Sequence, residues 1–188
     1  MDADHLDIYG TLEEYQKAFK EFASQVSRTL IVKYGLDITA DDTKARILSY
    51  SYDNPSADYH AANAKPDEDG HYIFDLVYPG GVIENIRVGI PGWVNVENSV
   101  AAAAVCLCHG VSPEAVKEAI GTYSGVKRRL EVHLNTPRLS YIDDYAHHPK
   151  ELESAISSMR GIFPGRKLTA IFQPHLFTRT RDFAEDFA

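Results

Sequence analysis

The chain has 188 residues, of which 44% are hydrophobic and 24% are charged, enough for one sizeable core or two small ones. Its net charge of −8 at pH 7 argues against general nucleic-acid binding, which needs a basic surface. The longest apolar stretch, residues 100–108, is too short to cross a bilayer, and the first residues lack an export-signal pattern. We therefore expect a cytoplasmic globular protein without a membrane anchor.

Thr11 followed by Glu14 is typical of a helix N-terminus, and apolar residues at helical spacing predict a helix over 12–27. A strand is expected next, at 29–33. Further segments of strand composition predict a small antiparallel sheet, with Pro-Gly-Gly as the turn between its last two strands. These segments are 46–52, 59–64, 71–78 and 82–88.

An alanine-rich stretch predicts a helix over 95–109, and Ser112 followed by Pro113 begins another. Cys106 and Cys108 lie on the first of these helices, where their spacing points them in different directions and prevents a mutual disulfide. We expect both to be core residues in a reducing compartment.

A domain boundary is expected near 123–125, which divides the chain into 1–124 and 125–188. Most of the negative charge lies before this boundary, and the second part is slightly basic. The second part should open an α/β domain with a parallel sheet. Its predicted strands are 130–134, 139–142 and 168–172, and its predicted helices are 149–162 and a segment from 177 onward. One strand–helix–strand crossover leaves such a sheet uncovered, so we expect the chain to be a fragment.

Two polar clusters follow predicted strands of the second part. Residues 143–149 read Asp-Asp-Tyr-Ala-His-His-Pro, and residues 173–175 read Gln-Pro-His. The carboxyl ends of strands meet at one edge of an open α/β sheet, so both clusters should face one crevice. Their carboxylates and imidazoles suit ribose binding, cation binding or proton transfer. Singly, Asp144 also suits a helix cap, His148 a packed core position and His175 a turn.

Three segments of the second part resemble the Mur ligase family of ATP-dependent peptidoglycan ligases in order and spacing. They are the residues 125–129, the string at 143–149, and Phe-Gln-Pro-His at 172–175 with Thr-Arg-Thr-Arg at 178–181. The first ten residues resemble a segment late in the family's central ATPase domain. The resemblance runs nearly end to end. It implies a partial central ATP-binding domain with a small antiparallel sheet, then the start of a Rossmann-like C-terminal α/β domain.

The resemblance implies an ATP-dependent ligase whose substrates are UDP-N-acetylmuramate and L-alanine, with Mg²⁺ as the accompanying ion. ATP would phosphorylate the muramate carboxylate, and the amine of L-alanine would then attack the acyl phosphate. No phosphate-binding Gly-x-x-x-x-Gly-Lys-Ser/Thr string occurs in the 188 residues. We therefore expect the chain alone to be inactive. The sequence carries no signal for oligomeric state.

The resemblance also implies roles for individual residues. His5 matches a magnesium-site histidine, and Asn95 and Asn98 match asparagines that contact adenine. Arg129 and Asp144 match nucleotide contacts made by the C-terminal domain. The residues matching the group around the amino acid and the reacting carboxylate are Tyr145, His147, His175 and Arg179. Among them, His147 and His175 are the catalytic candidates, and Arg179 suits carboxylate pairing.

The sequence departs from the family pattern at two positions. Val94 stands where the family usually has a histidine before the first asparagine, so the role of that imidazole is absent or moved. Leu176 stands where an arginine commonly follows the Phe-Gln-Pro-His histidine. Carboxylate recognition would then depend more on Arg179.

Three alternatives remain open from the sequence. The nearest is a recycling ligase that attaches a whole peptide to UDP-N-acetylmuramate, although the string at 172–181 favours the L-alanine reaction. The second is a metal-dependent phosphoesterase with Asp143, Asp144, His147 and His148 as ligands, which would hold a transition metal tightly. The third is a binding module without catalysis.

Overall fold

The computed structural model describes residues 6–187. In that range the helices are α1 (Leu6–Tyr9), α2 (Leu12–Ser24), α3 (Val94–Cys108), α4 (Pro113–Thr122), α5 (Pro149–Ile162) and α6 (Phe177–Asp182). The strands are β1 (Thr29–Lys33), β2 (Arg46–Ser51), β3 (Tyr59–Pro66), β4 (Tyr72–Tyr78), β5 (Gly81–Arg87), β6 (Glu131–Asn135) and β7 (Ser140–Asp143). None of the helices in this range is long and apolar enough to cross a membrane.

The first five strands form one sheet in the order β1-β2-β3-β4-β5. The predicted strand positions are confirmed, but the sheet is mixed where we expected an antiparallel one. β1, β2 and β3 run parallel, and only β3, β4 and β5 are antiparallel. The parallel pair β2–β3 is short, with Tyr50 opposite Tyr59 and Ser51 opposite His60. The Pro-Gly-Gly turn after Tyr78 lies where the sequence predicts it.

The main core lies between this sheet and helices α3 and α4. Large apolar side chains from β4, β5, α3 and the segment after β5 are almost completely shielded from water: Phe74, Leu76, Ile86, Val88, Val96 and Val100. Val116 of α4 joins them. Burying side chains of this size contributes about 1.5–3 kcal/mol each, so this cluster fixes α3 against the sheet.

Helix starts follow their sequence signals closely. Thr11 caps α2 by accepting a hydrogen bond from the Glu14 amide at 3.2 Å, and Ser112 caps α4 through the Ala115 amide at 3.3 Å. Cys106 and Cys108 are both free thiols. Cys108 is exposed, so its expected place in the core was wrong, because it lies at the last position of α3.

The second part contains a two-stranded antiparallel sheet, β6–β7, followed by α5. The expected parallel crossover was wrong for the described residues, since residues 168–172 pair with no strand there. Parallel strands are stable mainly when both faces are covered, whereas Ile171 is 98% exposed here. The segment nevertheless returns the chain toward the end of β7 before α6 begins.

Candidate functional site

The two polar clusters approach each other beyond the end of β7. The rings of His147 and His175 lie 6.3 Å apart, and the ring of Tyr145 lies 5.0 Å from that of His147. The Arg128 guanidinium stacks over the Tyr145 ring at 4.7 Å. The structure therefore brings together three of the four residues matched to the amino-acid site. The fourth, Arg179, is buried in α6 with 6% of its surface exposed.

The tautomer of His147 follows from its hydrogen bond. Its Nδ1 lies 2.8 Å from the carbonyl oxygen of Tyr145, and a carbonyl can only accept. We therefore assign the proton of the neutral ring to Nδ1, which leaves Nε2 as an acceptor. An imidazole in this state is able to take a proton from an incoming amine.

Asp144 holds the loop that precedes α5 against the start of β6. One of its oxygens accepts a hydrogen bond from the Leu130 amide and the other from the Ala146 amide, both at 2.8 Å. Arg128 and Leu130 have φ values of 59° and 49°, an uncommon conformation for residues other than glycine. The Asp144 contact to Leu130 offsets some of that backbone strain. The helix cap that was the alternative role for Asp144 is made by His148 instead.

His148 and Glu151 form the N-terminal cap of α5. His148 is 8% exposed and its Nδ1 accepts a hydrogen bond from the Lys150 amide, while Glu151 accepts from the amides of His147 and His148. Sequence reasoning placed His148 among packed residues but missed Glu151. The available signal was an acidic residue in the first turn after Pro149, which favours a helix N-terminus.

The environment of Glu151 lowers the pKa of its carboxyl group. Partial burial acts to raise this pKa, but the His147 amide and imidazole, the His148 amide and Arg129 together lower it more. A folded-state pKa below the unfolded value of about 4.3 stabilises the protein above that pH. This contribution is lost as the pH falls through the folded-state pKa.

We expect Glu151→Gln to lower the free energy of unfolding at pH 7 by up to about 1 kcal/mol, because the side chain is partly exposed and screened. The deficit should be smaller at pH 3, because the contribution of the wild-type carboxyl is lost as the pH falls through its lowered folded-state pKa. Urea unfolding at both pH values measures it. Glu153→Gln on the same helix is the control, since Glu153 is 70% exposed. A deficit of equal size at both pH values would contradict the assignment.

A cavity of about 870 Å³ lies between α3 and α4 on one side and α5 with the segment before β6 on the other. It is lined by all four residues matched to nucleotide contacts: Asn95, Asn98, Arg129 and Asp144. Lys150 and Glu151 also line it, and sequence reasoning missed both. Small-molecule sites commonly have volumes of about 300–1,000 Å³. This cavity is therefore large enough for a nucleotide.

The two asparagines present different hydrogen-bonding groups at the start of α3. Asn95 donates from Nδ2 to the Pro91 carbonyl oxygen at 2.7 Å, which leaves its side-chain oxygen as the acceptor for a ligand. Asn98 lies three residues further along the same helix and is exposed. Ile90, Val94 and Ile120 supply apolar walls. Amide groups beside apolar walls suit a flat, polar-edged base such as adenine.

The cations of the cavity are Arg129 and Lys150. Arg129 Nη1 lies 3.7 Å from Glu151 Oε1, and its side chain is 55% exposed. An exposed pair at this distance is weak, so a phosphate is able to replace Glu151 as the partner of Arg129. His5, matched to a magnesium site, lies outside the described residues.

The set Asp143, Asp144, His147 and His148 does not form a metal-binding group in residues 6–187. The residues there whose ligand atoms converge are Glu131, His133 and Asp143. Both oxygens of Asp144 and the Nδ1 of His148 are occupied by backbone amides. The geometry therefore does not favour the phosphoesterase alternative.

Fold and site together define an α/β protein with a nucleotide-sized cavity between α3 and α4 on one side and α5 on the other. Family comparisons agree with this class. The Mur ligase middle domain matches residues 1–106, and the Mur ligase glutamate ligase domain matches residues 128–188. The chain belongs to the Mur ligase family.

Relatives and solved structures of this family cover the chain. It is 45% identical, over its whole length, to a UDP-N-acetylmuramate–L-alanine ligase of Parabacteroides distasonis, and 42% identical to the same ligase of Flavobacterium johnsoniae. It spans 41% and 40% of those proteins. A crystal structure of MurF from Acinetobacter baumannii matches 84% of the chain with a TM-score of 0.71 and 26% identity, over 35% of its own length. The crystal structure of UDP-N-acetylmuramate-alanine ligase MurC from Thermotoga maritima matches 96% of the chain with a TM-score of 0.75, over 41% of its own length. At 23% sequence identity, this match supports the fold alone.

Proposed function

We propose that the chain is the part of an ATP-dependent ligase that holds adenine nucleotide between two domains and joins L-alanine to UDP-N-acetylmuramate. The observation that carries the proposal is the single cavity lined by Asn95, Asn98, Arg129 and Asp144, which come from opposite sides of the proposed domain boundary. Mur ligases are ATP-dependent enzymes, and the relatives that match the whole chain carry the name of this ligase. A cytoplasmic location is part of the same proposal.

The domain division that we propose is 1–124 and 125–188. The core of the first part is closed by α4, which ends at Thr122, and β6 begins the second part at Glu131. Between them, Gly125 has a φ of 86°, and the backbone runs through the strained residues Arg128 and Leu130. The described core cluster contains no residue from 125 onward, which is typical of a domain junction.

In the proposed reaction the muramate carboxylate takes the γ-phosphoryl group of ATP and ADP leaves. The amine of L-alanine then attacks the acyl carbon, phosphate leaves, and the amine loses a proton. His147 is placed to accept that proton at Nε2, with His175 beside it to orient the amine. Tyr145 would border the amino-acid site, and Arg179 of α6 would be the partner of a carboxylate.

ATP fits the residues present better than Mg²⁺ does. Adenine would contact Asn95 and Asn98, and the phosphates would reach Arg129. The carboxylates of the cavity, Asp144 and Glu151, already accept hydrogen bonds from backbone amides. Mg²⁺ prefers oxygen ligands and keeps several waters, so we propose that it arrives with the phosphates and takes few ligands from the described part of the chain.

Nucleotide binding by the 188-residue chain tests the proposal. We expect ADP to bind in isothermal titration calorimetry, and Asn98→Ala to weaken this binding by about 2–10-fold, as the loss of one neutral hydrogen bond predicts. Gln16→Ala on α2 is the matched control, because it removes an amide from a helix that does not line the cavity. No detectable ADP binding, or equal binding by the Asn98 variant, would overturn the adenine assignment.

A further inference from the structure

We propose that Glu131, His133 and Asp143 form a binding site for a divalent transition-metal ion such as Zn²⁺ or Co²⁺. These residues lie on the β6–β7 sheet, outside the cavity described above. One ligand atom from each, two carboxylate oxygens and an imidazole nitrogen, lies within 4.8 Å of the others. One imidazole and two carboxylates suit borderline metals better than Mg²⁺ or Ca²⁺, which prefer oxygen alone.

The strand pairing explains why the three side chains converge. Glu131 is directly opposite Asp143 in the antiparallel register, so both project from the same face of the sheet. A register shift between Val132 and Leu134 makes His133 the extra residue of a β-bulge. Bulges commonly redirect a side chain, and here the His133 Nε2 lies 3.8 Å from the Glu131 Oε2.

Like charges placed directly opposite each other destabilise an antiparallel pair. Glu131 and Asp143 have this arrangement, and a nearby cation offsets it only in part. The Arg128 Nε lies 3.6 Å from Asp143, and the Arg128 amide donates to Glu131 at 2.8 Å. Of the two carboxylates, the Arg128 guanidinium pairs with Asp143 alone, and Glu131 receives only the backbone amide of Arg128, so one cation stands against two carboxylates and the cluster keeps a net negative charge. A divalent cation would neutralise it.

The side chains have the freedom to close on an ion. Zinc takes nitrogen and oxygen ligands at about 2.0–2.2 Å, so the three ligand atoms must each move inward by about 1 Å. His133, Glu131 and Asp143 have side chains 41%, 30% and 34% exposed, so small rotations of this kind meet little resistance. The His133 ring stacks on Tyr141 at 5.2 Å, which orients the imidazole. Three protein ligands leave a fourth position for water.

Cobalt binding to the tag-free 188-residue chain tests the site. We expect Co²⁺ alone to give visible absorption bands, and these bands should disappear when Zn²⁺ displaces the Co²⁺. His133→Ala and Glu131→Gln should each weaken Co²⁺ binding by at least about tenfold. Removing a residue that only supports a ligand already costs about 10–100-fold, and these two residues are direct ligands. Arg128→Gln should strengthen it, because the competing cation is removed, and a purely structural role of the cluster predicts no such gain. Far-ultraviolet circular dichroism checks that each variant is folded.

Two histidine variants locate the ion. His109→Ala, an exposed residue past the end of α3, should leave Co²⁺ binding unchanged. His147→Ala should also leave it unchanged, since His147 belongs to the cluster beyond β7. Absence of Co²⁺ binding, equal binding by the His133 and Glu131 variants, or loss of binding on the His147 change would each overturn the proposal.

Discussion

Gly89→Ala is expected to destabilise the chain by about 3 kcal/mol or more, because the added methyl group has no space. A Cβ at Gly89 would overlap the carbonyl oxygen of Tyr123 and lie 2.8 Å from that of Gly121. Both neighbours are backbone atoms at the end of α4, and they cannot move aside as a flexible side chain would. The Gly89 amide also donates to the Ile120 carbonyl at 3.0 Å, which ties the segment after β5 to α4.

Urea unfolding followed by Trp93 fluorescence measures this effect. Gly161→Ala is the matched control, since Gly161 lies in α5 with no atom within 4 Å of an added Cβ. Gly161 is the penultimate residue of α5, where alanine gains less over glycine than the about 0.5–1 kcal/mol of a helix interior, so this variant should be as stable as the wild type or slightly more stable. Equal stability of the Gly89 variant and the wild type would show that α4 does not pack against this segment as described.

Local sequence patterns predicted the helices and strands of the first part, but they did not predict whether neighbouring strands pair in parallel or antiparallel. Alternating apolar residues place β2 and β3 correctly, since Leu48, Tyr59 and Ala61 are buried. The same alternation fits either a parallel or an antiparallel neighbour. The parallel pairing of β2 and β3 rests on two residue pairs after a short connection, a geometry that composition does not encode.

In the second part, local sequence signals predicted a strand that does not form. The strand composition of residues 168–172 is real, but a strand also needs a neighbouring edge to pair with, and these residues pair with no strand in the described part of the chain. The rule that ligands gather at the carboxyl ends of strands still places His147 near His175. That rule contains no information about α3, so the approach of Asn95 to Arg129 was expected only from the family resemblance. The place of Glu151 in the first turn of α5 was a usable signal for a helix cap, but its bond from the His147 amide depends on where that backbone lies.

Arg129→Ala is expected to lower kcat/KM for the proposed ligation by about 10–150-fold, the loss that one charge-assisted contact of about 1.5–3 kcal/mol predicts. Because the chain spans 41% of its Parabacteroides distasonis relative, the assay uses a chimera in which this chain replaces the matching part of that protein. Incorporation of labelled L-alanine into UDP-N-acetylmuramate is measured. Calorimetry should give an unchanged Kd for the UDP-sugar, since Arg129 lines the cavity assigned to the nucleotide.

Two further variants identify what Arg129 supplies. Arg129→Lys keeps the charge but loses the planar fork that pairs with two phosphate oxygens, so it should recover only part of the lost rate. Arg138→Ala is the matched control, because Arg138 is exposed in the turn between β6 and β7 and does not line the cavity. The Arg129 Nη1 lies 3.7 Å from the Glu151 Oε1, so this ion pair restrains the Arg129 side chain only weakly. The guanidinium is therefore free to turn toward the phosphates when nucleotide binds. If both alanine variants kept the full ligation rate, Arg129 would be an ordinary surface residue, and the cations of the nucleotide site would have to come from elsewhere in the enzyme.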